Sequence, residues 1–132
     1  ISIFVKAIFT IFVAPSMADG QMNDFYRPER FSGWSERYRD QMQYRGFIHA
    51  MMSGFVDNGV YDQAEELRQV GQHERPVLVI WGRHDTVVPF EKSENLLKDF
   101  PQAEFFPVDE AGHVSHMEQP DLVNERILQF FK

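Results

Sequence analysis

A chain of 132 residues is long enough for one modest domain. Its formal charge is -7, from 20 acidic against 13 basic residues, and no cluster of Lys or Arg marks a phosphate-binding face, so nucleic acid is not an expected partner. With no cysteine the chain excludes disulfides and cysteine-held metal sites, and 13 phenylalanines in a 14% aromatic chain suggest a greasy pocket or cover.

Ile1 to Ala14 is the most apolar stretch. It falls short of the roughly 20 residues needed to span a bilayer and is interrupted by Lys6, so no membrane span is expected. Followed by A-P-S-M-A it has the outline of a signal-peptide core but lacks a basic leader, and the preferred reading is a buried or covering helix with Pro15 after it. Ala18 to Gly33 is polar, punctuated by Gly20, Pro28 and Gly33, and reads as loop with room for one helical turn. From Trp34 to Phe55 the pattern is helical: Trp34, Tyr38, Met42 and Arg45 fall on one stripe, Phe47, Met51 and Phe55 continue an apolar face, and Gly46 marks a kink or a break. Asp57 to Gly59 is a turn signal, and Val60 to Val70 reads as another helix.

Val77 to Trp81 (V-L-V-I-W), bounded by Pro76 and Gly82, has the length and β-branched content of a strand buried on both faces of a parallel sheet. The chain then turns and presents Asp85 in a short polar loop, where chemistry collects in sheets of this kind. Glu91 to Phe100 reads as a helix between Pro89 and Pro101. Ala103 to Val108 reads as a strand that Pro107 confines to an edge or bends. His113 follows that strand as Asp85 follows the earlier one, and a strand-helix-strand unit brings both loops to one sheet edge. Asp121 to Phe131 is the last helix, expected to bury Leu122, Val123, Ile127, Phe130 and Phe131.

Each feature has a plainer reading. An Asp after a Gly turn often does no more than hydrogen-bond its own backbone. His113, His116 and Glu118 resemble a ligand set only superficially, because H-x-x-H in a loop lacks the helical i, i+4 spacing of hydrolytic zinc sites, so no metal is expected. His84 is a distractor, and His49 and His73 carry no signal. The aromatic and Met residues from Phe25 to Phe55 are more often core than substrate contacts.

Pro76, Leu78, Ile80, Gly82, Asp85 and Pro89, followed by Gly112, His113, Glu118 and Pro120, read P-x-L-x-I-x-G-x-x-D-x-x-x-P and then G-H-x-x-x-x-E-x-P. This order and spacing resemble the closing segment of the α/β-hydrolases and cover Pro76 to Lys132, a little under half of the chain. The resemblance implies an α/β fold: the last two parallel strands of the sheet with their helices over residues 72–132, preceded by a helical cap over residues 1–71. It implies catalytic roles for Asp85 and His113. A serine hydroxyl is a weak nucleophile until a base takes its proton, and imidazole titrates near working pH. His113 would be that base and then the acid for the leaving group, with Asp85 holding the ring and stabilising the imidazolium. Should Asp85 not serve, Asp19 or Asp24 is the next acid. Gly112 would permit a tight turn before the histidine. Glu118 and Pro120 look structural, with Pro120 in the first turn of the last helix and Glu118 accepting hydrogen bonds near its start.

The family's nucleophile turn, G-x-S-x-G, is not found: none of Ser2, Ser16, Ser32, Ser35, Ser53, Ser93 and Ser115 is flanked by glycines at both required positions. The chain opens on Ile1 rather than Met, so it reads as the C-terminal half of a hydrolase, expected to be inactive alone. The whole protein is expected to be a Ser-His-Asp hydrolase of small or medium apolar esters, needing no cofactor and located in the cytoplasm. Hydrolysis of a carbon-carbon bond, or epoxide hydrolase or dehalogenase chemistry with an Asp nucleophile and a polarising Tyr38 or Tyr44, are the alternatives within the family. A noncatalytic binding module is the alternative outside it.

Overall fold

The computed structural model describes residues 3–54 and 64–132. Two compact units divide the chain: Ile1–Met22 with Phe31–Asp62, and Asn23–Arg30 with Gln63–Lys132.

The first unit is helical. Helix α1 (Ile3–Ile8) runs through a π-helical turn, Phe9–Val13, into α2 (Ala14–Gly20). The expected stop ahead of Pro15 does not occur, because a proline in the first turn of a helical segment lacks only an N–H that would have no partner there. Nor is the apolar stretch buried within its unit: Phe4, Ile11 and Phe12 are exposed, and the buried face begins at Ala14 and Ala18. Small side chains there let α2 pack on α3 (Trp34–Met42), with the Asp19 carboxylate on Arg39 at 2.5 Å. Gly46, at φ 94°, separates α3 from α4 (Phe47–Ser53). A left-handed residue ends one helix and starts another, so Gly46 is a break rather than a kink. The expected stripe is half-buried at Trp34, Tyr38, Met42, Phe47 and Met51, while Arg45 is exposed and Met52 is the buried residue of α4. Tyr38 and Phe47 meet edge to face across the break. Phe55, the Asp57–Gly59 turn and the start of the next helix lie outside the described residues.

The stretch from Ala18 to Gly33 is more helical than its polar composition suggests. Besides the end of α2 it forms two 3-10 turns, Gln21–Asp24 and Pro28–Phe31. Proline at the head of the second supplies a preset φ and no unmatched donor.

The second unit holds α5 (Ala64–Gly71), strand β1 (Leu78–Gly82), a 3-10 turn (Phe90–Lys92) leading into α6 (Ser93–Asp99), strand β2 (Glu104–Val108), the short α7 (Ser115–Glu118) and α8 (Pro120–Phe130). The two strands pair in parallel, from Leu78 opposite Glu104 to Gly82 opposite Val108. Pro107 does not end β2. The Glu104 amide donates to the Val77 carbonyl at 2.8 Å, and by the two-residue alternation of a strand the Pro107 nitrogen faces the other edge, unpaired among the described residues.

Val108, Ala111 and Val123 form the buried cluster, with Ile80, Phe106 and Ile127 packed against it. Val123 and Ile127 are four residues apart and so share the face of α8 that meets the strands. Burial of a valine such as Val108 or Val123 contributes about 1.5–3 kcal/mol. Leu122 and Phe131, expected inside, are exposed: one borders an open groove beside Phe106, the other follows the last residue of α8. Burial of β1 on both faces is also not observed, since only Val79 and Gly82 are buried while Ile80 and Trp81 open onto a cavity. Among the described residues no helix is long and apolar enough to cross a membrane.

Candidate active site

The parallel pairing of β1 and β2 brings the loops after both strands to one edge, and there the two residues singled out from the sequence meet. His113 Nδ1 lies 2.9 Å from Asp85 Oδ2. The acid side chain is buried, 4% exposed, whereas the imidazole is 40% exposed. That asymmetry suits a pair in which one member is fixed and the other faces a reactant.

The other Asp85 oxygen accepts the amides of Val87 and Val88, at 2.9 and 2.8 Å. The plain reading of this aspartate, a turn residue capping its own backbone, describes one oxygen, and the other oxygen is left to meet the His113 ring. A carboxylate offers only acceptors, so the neutral ring must donate from Nδ1 and keep its lone pair on Nε2. With Oδ1 tied to two amides the carboxylate cannot rotate away. The ring is thereby held as the tautomer a general base needs.

Beside the pair lies a cavity of about 200 Å³ lined by Ile80, Trp81, Gly82, Asp85, Val88 and His113. Its walls are apolar except for the acid and base, and the Trp81 indole is fixed by donation to the Val88 carbonyl at 3.1 Å. A larger groove, about 430 Å³, is lined by Gly71 to Pro76 and Gln102 and contains neither Asp85 nor His113.

The segment Asn23–Arg30, read from the sequence as loop, packs on both site loops. The Thr86 hydroxyl donates to the Asn23 carbonyl at 3.1 Å, and the His113 amide donates to the Asp24 carbonyl at 2.7 Å. Tyr26 stacks on His84 with ring centroids 4.0 Å apart, which gives that histidine a packing role. Arg27 pairs with Glu110 at 2.6 Å. Gly112 serves this approach and not a turn: its φ is not positive, and a Cβ there would lie 2.5 Å from the Asp24 carbonyl oxygen. Most of these contacts use main-chain atoms, so no side-chain motif signalled them.

Asp24 is a third carboxyl group near the pair. Burial raises its pKa above the ordinary 3.8; the His113 ring works against that rise and the Asp85 carboxylate adds to it. Asp19, the other reserve acid, is engaged with Arg39 in the first unit. Glu118 does not cap α8; its two oxygens accept the amides of Gly112 and Arg27. Pro120 does occupy the first turn of α8. His116 is exposed on α7, and among the described residues no group of three or more His, Asp or Glu side chains is placed to hold a metal ion.

Residues 14–120 match the family model for the alpha/beta hydrolase fold. The chain belongs to the α/β-hydrolase fold family. Among curated relatives, YugF, an uncharacterized hydrolase of Bacillus subtilis, is 29% identical over 105 residues, which are 79% of this chain and 36% of YugF. An uncharacterized carboxylesterase of the same organism, nap, is 37% identical over 68 residues, 51% of this chain and 22% of that protein. Among solved structures, the 2-hydroxy-6-oxo-6-phenylhexa-2,4-dienoate hydrolase of Rhodococcus sp. strain RHA1 superposes with a TM-score of 0.70 at 22% identity, covering 96% of this chain and 47% of that one. The chain thus spans about a third or less of these curated relatives and about half of the solved structure. The parallel pair with its helices is accordingly part of an α/β-hydrolase fold.

Proposed function

We propose that these 132 residues carry the acid and the base of a Ser-His-Asp hydrolase that cleaves small or medium apolar carboxylic esters. The observation that carries this reading is the 2.9 Å contact of His113 Nδ1 with the buried Asp85 carboxylate at the mouth of an apolar cavity. In the proposed reaction His113 Nε2 takes the proton of a serine hydroxyl as the oxygen attacks the ester carbonyl, and Asp85 stabilises the imidazolium. The same nitrogen returns the proton to the departing alkoxide, leaving an acyl-enzyme that water cleaves in the same way. The cavity's size and its Ile80, Trp81 and Val88 walls favour a small apolar acyl or alkyl group.

The nucleophile and its oxyanion donors are proposed to come from a segment outside these residues, since no serine here sits in G-x-S-x-G. The helical stretch to Gly71 is read as the cap of such an enzyme, and the cytoplasm as its location. The chain alone is expected to cleave esters no faster than free imidazole. Carbon-carbon bond hydrolysis is the second reading, favoured by the likeness to the Rhodococcus hydrolase. It needs the same base and differs in what the pocket holds.

Reading the coding DNA upstream of Ile1, over about one hundred codons, tests the proposal. G-x-S-x-G after a buried strand supports the serine hydrolase, and G-x-D-x-G moves the protein to epoxide hydrolase or dehalogenase chemistry. An in-frame stop immediately before Ile1, or an upstream half with neither turn, overturns the enzyme reading and leaves a noncatalytic module.

A further inference from the structure

Glu118 is 3% exposed and sits in a single turn of helix, yet neither of its oxygens goes to the neighbouring helix start. Oε2 accepts the Gly112 amide at 2.5 Å and Oε1 accepts the Arg27 amide at 3.0 Å. A carboxylate this buried is tolerated only where its oxygens are hydrogen-bonded, and here both are spent on main-chain donors from different parts of the chain. One donor immediately precedes His113. The next amide, that of His113 itself, is taken by the Asp24 carbonyl at 2.7 Å. Two successive amides of the base-bearing loop are thus held by two separate acceptors, and Arg27, in the segment that carries Asp24, is fixed by the same Glu118 side chain.

We propose that Glu118 is a positioning residue for His113: its carboxylate ties the Gly112 amide to the Asn23–Arg30 segment and so fixes the backbone from which the imidazole reaches Asp85. Only the effect of Glu118 on turnover rests on the proposed role of His113 as the base. The placement of the ring stands on the hydrogen bonds alone. Glu118→Gln keeps the volume but turns one acceptor into an NH2 group that must face one of the two amide donors. The Gly112–His113 backbone then loses a restraint, and the ring loses its fixed distance from Asp85.

Nitrogen NMR of the isotopically labelled 132-residue chain reads this directly. The wild-type His113 ring is expected as the Nδ1–H tautomer, with a Gly112 amide slow to exchange with solvent. In Glu118→Gln the Gly112 amide is expected to exchange at least about tenfold faster, and the Nε2–H tautomer to gain population. Glu118→Asp, which keeps the charge and shortens the reach, gives the same readout if the Gln variant does not fold. In a protein that also carries the nucleophile, kcat is expected to fall about a hundredfold with KM unchanged, the loss that a misplaced catalytic group causes. Unchanged Gly112 exchange and an unchanged His113 tautomer in the variant overturn the proposal. If both change while His113→Ala leaves turnover intact, the base assignment fails and the positioning of the ring stands.

Discussion

The backbone of Gly82, at the end of β1, lies against the carbonyl of Gly112 in the histidine loop, so closely that a Cβ on Gly82 would run into that oxygen and lie 2.5 Å from the Ala111 carbonyl. The Asp85 loop and the His113 loop are therefore locked by backbone contact next to the Asp85–His113 pair. A side chain at residue 82 has no flexible neighbour to displace. Gly82→Ala is expected to cost about 1–3 kcal/mol of stability, as forced overpacking does, and to weaken the Asp85–His113 contact. Urea denaturation of the two chains measures the first effect, and equal midpoints would count against the packing described.

Asp85→Asn preserves shape and one carbonyl oxygen. If that oxygen keeps the Val87 and Val88 amides, an NH2 group faces His113 Nδ1, which must then accept, and the ring proton moves to Nε2. The Nε2 lone pair that the proposed base needs is lost although the turn survives. In a protein carrying the nucleophile, turnover is expected to drop by about 10⁴-fold, the cost of the wrong tautomer in a Ser-His-Asp unit, with folding little affected. Steady-state ester hydrolysis beside a circular dichroism spectrum checks both halves, and full activity would mean that the acid lies elsewhere.

Asp24 gives a prediction with a definite sign. Its folded pKa is raised by burial, so the folded chain holds this proton at pH values where the unfolded chain has released it. The stability it contributes is complete below the unfolded value near 3.8 and is lost as pH rises through the folded value. Asp24→Asn should therefore be modestly more stable than the native chain at neutral pH, and the gain should vanish in acid. Denaturant midpoints compared across pH test this, and a gain that persists well below the carboxylate range would contradict it.

What could be read in the sequence was what side chains announce locally. Val77 to Trp81 and Ala103 to Val108 are within a residue of the observed strands because their apolar, β-branched and aromatic runs have no helical alternative. Asp85 and His113 stood out because both follow strand ends in a spaced pattern, and the structure places them in contact. The part that Asn23–Arg30 plays in the site is not legible in the sequence because it is played by main-chain atoms: the Asn23 and Asp24 carbonyls and the Arg27 amide, which any residue would supply. The partners of Glu118 are hidden for a related reason. Its neighbours in sequence are the start of α8, whereas one of its donors lies 91 residues away. The helix running past Pro15 shows a rule of position, since proline stops a helix interior and is accommodated at a new helical start.

The proposed function makes His113 the base of a hydrolase whose nucleophile lies outside these 132 residues. Ester turnover by a protein joining this chain to its nucleophile-bearing segment, with and without His113→Ala, tests it. Saturable hydrolysis that falls by orders of magnitude in the variant, while the fold persists, is the predicted result. Equal turnover by the two proteins, or saturable turnover by the 132 residues alone, would contradict it.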